Sequence, residues 1–403
     1  MKAPRILLIS DNLPPVIGGS GVVYDALARA LPENMVVLTS THTPDGTEKP
    51  GWRAVDQGAP YRCHRWRHVR LRQGGGLIGR LRDLWQMALV SLKVWRLAGQ
   101  ERADVIVIGE LVSLGWLALA LKRLGRRPVV IYTHTEEVTQ AMADRLGGLR
   151  PRVLGAADHV VAVSRYCARA VRTLAGLAGA RISVISNGVD LGFFTPGAPE
   201  RDVRAPHGLT AEHRLIVAAG RHVPRKGFDR LIEAMPAITA RHPDSHLLLV
   251  GDGPQTADLK ALAADTCPDH VHFTGPLDRA TLRDHYRTAT LFAMPNRTMP
   301  DGDTEGFGLV FLEAAACGVP SVGGLGGGAV EAIRHERTGL SIDGTDIAAI
   351  AKAITRLLGD ERDRRRLADG ALAHARSQGW ADKAAEFQTI MADLVADPAH
   401  RRR

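Results

Sequence analysis

Short, wholly apolar runs alternate with amphipathic segments along almost the entire 403-residue chain, and this rhythm constrains the fold more than any other feature. Ile6-Leu7-Leu8-Ile9 and Leu247-Leu248-Leu249-Val250 are apolar at every position, as strands covered on both faces are. The pattern predicts strands near 5–10, 35–40, 61–66, 104–109, 128–133, 159–163 and 182–185, separated mostly by helical segments near 21–31, 78–99, 113–124 and 165–176. A second series places strands near 214–219, 246–250, 271–273, 290–294 and 319–322. Helices are expected between and after them near 227–240, 256–265, 279–287, 307–317 and 346–358. Strand, helix, strand at this spacing implies α/β architecture with parallel sheets, whose ligands bind at the carboxyl ends of strands near the switch point.

The length is too great for one ordinary core. Pro196, Pro199 and Pro206 interrupt any regular pattern from Gly192 to His207, which predicts a linker there. The expectation is two Rossmann-like domains, 1–191 and 192–378, with a cleft between them, and a final helix near 379–397 returning to the first. Four separated cysteines without a Cys-x-x-Cys pair suggest reduced thiols, and no signal-like segment precedes the first strand, so a cytoplasmic location is expected. The longest apolar run, Leu111 to Leu121, is too short to span a bilayer.

The net charge of +9 is unevenly placed. Arg62, Arg65, Arg67, Arg70, Arg72, Arg80, Arg82, Lys93 and Arg96 face only Asp83 between residues 60 and 100, with Trp66, Trp85 and Trp95 among them. Such a stretch suits an anionic membrane surface or an anionic acceptor, with Arg62, Arg65, Arg67, Arg70, Arg72 and Trp66 as its candidate residues. A solvated helix face with its tryptophans in the core is the plainer alternative. No recognised nucleic-acid module accompanies the charge, which argues against a nucleic-acid partner.

The most informative stretch for chemistry is Glu305-Gly306-Phe307-Gly308-Leu309-Val310-Phe311-Leu312-Glu313. Gly306 and Gly308 let backbone amides approach an anion before a helix begins, and two ionised carboxylates suit a ligand rich in hydroxyls. An ordinary capped helix with solvated glutamates would look the same in isolation. Arg221 and Lys226 flank a loop directly after a strand, where two cations suit a pyrophosphate. Gly18-Gly19-Ser20-Gly21 follows the first strand and allows close backbone approach, yet it is not the Gly-x-Gly-x-x-Gly of nicotinamide sites. His134 stands at the end of a predicted strand, where it can meet a substrate hydroxyl. Asp301 and Asp303 have the spacing of a metal clamp, but they lie in a loop beside cations able to serve the phosphates, so no metal is assigned. Gly251-Asp252-Gly253 and the run Gly323 to Gly328 fit turns that shape a nucleotide pocket or an anion nest.

Taken together, Gly18-Gly19, His134, Ser186-Asn-Gly-Val-Asp190, Gly220-Arg221 through Lys226-Gly227, Val250-Gly-Asp-Gly253 and Glu305-x7-Glu313 resemble family-four retaining glycosyltransferases of the GT-B fold. The likeness extends to actinobacterial mannosyltransferases acting on phosphatidylinositol mannosides, and it is strongest from 182 to 340. It implies that Arg221 and Lys226 bind the donor pyrophosphate and that Glu313 holds the ribose. Glu305, with the amides of Gly306, Phe307 and Gly308, would hold the sugar; His134 would contact it near the reacting carbon, and Gly18 and Gly19 would abut donor and acceptor. It further implies a metal-independent transfer without cofactor from a nucleotide-diphosphate sugar.

The expected function is hexose transfer, with GDP-mannose as first donor and a lipid or lipid-linked glycan as acceptor, at the inner face of the cytoplasmic membrane. A UDP-sugar enzyme acting on a soluble or polysaccharide acceptor is the alternative. A nucleotide-sugar epimerase and a non-catalytic binding protein are the rival classes.

Overall fold

The structure is a computed structural model that describes residues 3–398 apart from 17, 44, 71–75, 126, 142–147 and 178–180, with the backbone alone for 76–80. The chain forms two compact units: Met1–Asn187 together with Trp380–Arg403, and Gly188–Gly379.

Among the described residues, the first unit holds seven strands: β1 (Ile6–Ile9), β2 (Met35–Ser40), β3 (Arg62–Trp66), β4 (Val105–Ile108), β5 (Val129–Thr133), β6 (His159–Ala162) and β7 (Ile182–Val184). They pair in parallel in the order β3-β2-β1-β4-β5-β6-β7, so the winding reverses between β1 and β4. Every residue of β1, β2, β4, β5 and β6 is buried, as the apolar runs require of strands covered on both faces. The Trp380–Ala396 helix adds Ala384, Phe387 and Met391 to this core.

The second unit holds β8 (Arg214–Ala219), β9 (Ser245–Val250), β10 (Val271–Gly275), β11 (Leu291–Met294), β12 (Ser321–Gly324) and β13 (Gly339–Ile342), parallel in the order β10-β9-β8-β11-β12-β13. Here the winding reverses between β8 and β11.

Residues 192–207, expected to be a linker at the start of the second domain, pack as part of the second unit. Phe194 and Val203 are buried in its core, and the amide of Val189 donates to the Gln378 carbonyl over 2.8 Å. The prolines prevent regular structure there without preventing packing.

Strand β13 and the Glu361–Arg376 helix were not expected from the pattern. The helix is masked by its run of charges, although Leu367, Ala371 and Ala375 form a buried stripe and the Asp360 carboxylate caps its first turn.

The Gly76–Gln100 helix has two apolar faces. Val90, Val94, Leu97 and Ala98 join the first core, whereas Leu81, Leu84, Trp85, Leu89, Leu92 and Trp95 are exposed, Trp85 to 67%. Trp85 and Trp95 therefore do not follow the core-packing alternative.

Candidate active site

In the second unit, the candidate residues lie on the segments that follow β8 and β11, beside the switch point, where Lys226 and Glu305 touch. After β8 the chain runs through Gly220 and Arg221 into the short turn Pro224–Lys226, then enters the Phe228–Thr239 helix at Gly227. Gly227 has φ +73°, and a Cβ there would lie 2.0 Å from the Pro295 carbonyl oxygen. Only glycine permits that approach, which draws the Lys226 turn against the end of β11. The Lys226 Nζ consequently lies 2.5 Å from the Glu305 carboxylate.

Glu305 is buried, which opposes its charge; Lys226 outweighs that burial, helped by Arg225 and the Phe307 amide, and holds the carboxyl below its usual range. The loop that carries it is fixed from the other side. Gly327, with φ +70°, packs its Cα where a Cβ would be 2.2 Å from the Glu305 carbonyl oxygen, and the Gly328 amide donates to that oxygen over 2.8 Å. The Asn296 side chain accepts from Gly324 N and donates to Gly326 O. The glycine run after β12 is thus used for tight packing against residues 296–305.

Gly308 caps the Leu309–Ala316 helix, which carries Glu313. The Tyr286 hydroxyl donates to Glu313 over 3.1 Å, and burial raises its carboxyl above the ordinary value. Phe307, expected among the donor contacts, turns its ring into the second core, so only its backbone can face a ligand. Arg221 is exposed. Arg225 forms two 3.0 Å hydrogen bonds to Asp303, and Asp301 accepts the Asp303 amide, so that acidic loop is occupied by its own neighbours.

In the first unit, Gly18 and Gly19 begin the Gly19–Ala30 helix after β1. A Cβ at either would meet nothing within 4 Å among the described residues, whereas at Gly21 it would lie 2.7 Å from the Asn12 carbonyl oxygen. The fold requires glycine at 21; at 18 and 19 it leaves open backbone.

His134 follows β5 directly and caps the Thr135–Thr139 helix. Its Nε2 lies 2.9 Å from the Tyr24 hydroxyl, its amide donates to Glu137, and burial lowers the imidazole to about 4. Glu137 also accepts the Leu111 amide, and burial pushes its carboxyl up to about 8.

A charge network closes the ends of β1, β2 and β4. The Glu110 carboxylate, buried after β4, accepts from the Ser10 hydroxyl and the amides of Asp11 and Asn12, and it pairs with Arg70. Asp11 pairs with the buried Lys49 at 2.8 Å and with Arg70 at 3.1 Å.

The structure treats the basic candidates unequally. Arg65, with a side chain only 4% exposed, binds Asp56 and the Pro14 carbonyl, and Arg70 is held inward by Asp11 and Glu110. Arg62 pairs with Glu101, Trp66 packs partly into the core, and Arg67 is exposed. Arg72 lies outside the described residues. The carboxylates that neutralise Arg65 and Arg70 lie on other segments, Asp11 and Glu110 far from Arg70 in sequence, so the local excess of positive charge in the sequence overstates what this segment offers an anionic surface.

Tyr24, Asp11, Lys49, Glu110 and Glu137 were not singled out in the sequence. Glu110 had a usable signal, a lone carboxylate directly behind an apolar strand; Tyr24, inside a helix pattern, had none.

Comparison with known proteins follows this geometry. Residues 17–193 match the family described as Glycosyltransferase Family 4, and residues 199–373 match Glycosyl transferases group 1. A GDP-mannose-dependent monoacylated alpha-(1-6)-phosphatidylinositol monomannoside mannosyltransferase of Corynebacterium glutamicum is 32% identical over 387 residues, covering 94% of this chain and 95% of that protein. The alpha-(1-6)-phosphatidylinositol monomannoside mannosyltransferase of Mycolicibacterium smegmatis is 38% identical over 276 residues, 68% of this chain and 72% of its own. Among solved structures, sucrose-phosphate synthase from Thermosynechococcus elongatus superposes with a TM-score of 0.78 at 24% identity, covering 98% of this chain and 99% of that one. With paired sheets of the same kind and relatives alike over nearly their whole length, the chain belongs to the family-four glycosyltransferases of the GT-B fold.

Proposed function

We propose that this glycosyltransferase moves mannose from GDP-mannose to a lipid or lipid-linked glycan acceptor, with retention at the anomeric carbon and without a metal. The observation that carries the reading is the Lys226–Glu305 pair at the end of β8 and β11. Without donor, each group neutralises the other. A diphosphate arriving at Lys226 and the exposed Arg221 takes over the ammonium, and Glu305 is left to accept hydrogen bonds from sugar hydroxyls.

As the anomeric carbon–oxygen bond to the diphosphate breaks, negative charge grows on the leaving phosphate, where Lys226 and Arg221 oppose it. The acceptor oxygen bonds the same face of the carbon, and its proton passes to the departing phosphate oxygen. The bidentate Arg225–Asp303 pair supports the metal-free reading, because the carboxylate best spaced for a cation already has one. The donor and acceptor classes are taken from the named mannosyltransferase relatives.

The exposed face of the Gly76–Gln100 helix supports action at a membrane. Leu81, Leu84, Trp85, Leu89, Leu92 and Trp95 form one apolar stripe, with Arg82, Lys93 and Arg96 exposed on the same helix. An amphipathic helix of this composition lies in the interface of an anionic bilayer, where each basic residue contributes about 1 kcal/mol. Among the described residues no helix is long and apolar enough to cross a membrane. This reading puts the membrane face at residues 81–96 rather than at residues 62–72.

The test incubates the purified protein with GDP-mannose, UDP-glucose, UDP-galactose or UDP-N-acetylglucosamine, with and without chelator, on anionic or neutral vesicles carrying phosphatidylinositol mannoside. Transfer from GDP-mannose that survives chelator, with recovery on anionic vesicles that Trp85→Ala reduces, is expected. Transfer only from a UDP-sugar, or only to soluble inositol phosphate, would replace the donor or the acceptor. Loss of activity restored by Mg²⁺ would end the metal-free reading.

A further inference from the structure

Tyr24 stands in the middle of the Gly19–Ala30 helix, fully buried, and its hydroxyl sits between two partners. One is the carbonyl oxygen of Gly109, immediately after β4; the other is Nε2 of His134, 2.9 Å away. A carbonyl oxygen only accepts, so the single phenolic proton goes to Gly109. The phenolic oxygen then meets His134 as an acceptor. His134 must donate from Nε2, which in the neutral ring is the Nε2–H tautomer.

The surroundings enforce this arrangement. The Tyr24 ring lies edge-on to Tyr132 and to His134, at centroid distances of 5.6 and 5.5 Å, while Tyr132 stacks on His134 at 5.8 Å. Gly109 allows the approach, since a Cβ there would lie 2.8 Å from the Tyr24 ring. At the backbone, Glu137 accepts the His134 amide, and through Leu111 it ties the same helix start to the chain after β4.

We propose that Tyr24 is a positioning residue for His134: by accepting its Nε2–H, it holds the buried imidazole in one tautomer and one orientation at the end of β5. His134 then serves sugar transfer as an oriented neutral group, and its Nε2 is not available as a proton-abstracting base. The proposal rests on the transfer reading for its consequence in turnover, and on the free protein alone for its tautomer. Burial, which lowers the imidazole to about 4, keeps the ring neutral. The charged groups facing this pair are Glu137 and Glu110, and neither reaches the ring nitrogen held by Tyr24.

The experiment compares the wild-type protein with Tyr24→Phe, labelled with ¹⁵N-histidine. In the wild type, the His134 ring should show a protonated Nε2 and a bare Nδ1 at pH 7, with no titration above pH 5. In Tyr24→Phe, the fixed tautomer and orientation should be lost, while the ring stays neutral in its buried site and the fold, read by circular dichroism, persists. With donor and acceptor, kcat should fall about tenfold, the size of one hydrogen bond, with the KM for donor little changed. A wild-type ring protonated on Nδ1, or a Tyr24→Phe ring with unchanged tautomer, overturns the proposal. If no nucleotide sugar is turned over, the transfer reading fails while the spectra still decide the role of Tyr24.

Discussion

The two units present the same edge of the same kind of sheet in opposite electrostatic conditions. In the first, charge at the strand ends is spent on the protein itself: Glu110, Asp11, Lys49 and Arg70 satisfy one another and pin the chain that leaves β1. In the second, Lys226 and Glu305 form a single exchangeable pair, Arg221 is exposed, and Glu313 is held by one hydroxyl. The architecture alone therefore does not say where a charged ligand goes. What distinguishes the units is whether each ionic group already has more partners than one ligand can displace.

That contrast can be broken most strongly at Glu110. Glu110→Ala would leave Arg70 with half of its anionic support, the Asp11 amide without an acceptor and the Asn12 amide with the Ser10 hydroxyl alone. Removing one partner from a buried pair typically costs about 3–5 kcal/mol, so the urea midpoint of the first unit should fall steeply. An unchanged midpoint would show that the network is dispensable.

Next comes Lys226→Ala, expected to lower transfer by about 10²–10³ because a preorganised donor to the developing charge is lost. Its cost in stability should be smaller than that of Glu110→Ala, since Glu305 keeps the influence of Arg225 and the Phe307 amide. Turnover near the wild-type rate would refute the phosphate role.

The smallest expected effect is acid sensitivity, which both units share for different reasons. Burial lowers His134 in the first unit and His246 and His272 in the second to about 4, the latter two within a cluster of histidines. The unfolded chain takes up these protons first, near 6.5, so stability is lost as pH falls from about 6.5 to about 4 and no further below that. Each contributes at most about 3 kcal/mol, less where solvent screens the ring. Denaturation profiles across that window should flatten in the second unit for His246→Gln with His272→Gln, and in the first for His134→Gln. A slope untouched by either change would assign the loss to carboxylates instead.

Much of the fold was legible because parallel strands covered on both faces leave an unmistakable apolar record. Strand β13 escaped because Gly-Leu-Ser-Ile carries too little of it, and the Glu361–Arg376 helix escaped because charge hides its narrow buried stripe. Lys226 and Glu305 were legible as separate motifs, being strand-end residues beside glycines; that they touch depends on Pro295 and Gly227 and is invisible locally. The inward capture of Arg65 and Arg70 was equally hidden, because the carboxylates responsible lie on other segments. Sequence spacing reports charge density, and only tertiary structure reports charge already used.

Because the Trp380–Ala396 helix belongs to the first unit, that unit is built from both ends of the chain. On the ribosome, residues 3–187 emerge early with their seven strands but without Phe387 and Met391, the side chains that complete their core. The whole of Gly188–Gly379 must be synthesised before those side chains arrive. Translation therefore offers the second unit the chance to finish first, and a nascent first unit must wait with an open seam for a helix made after the second unit.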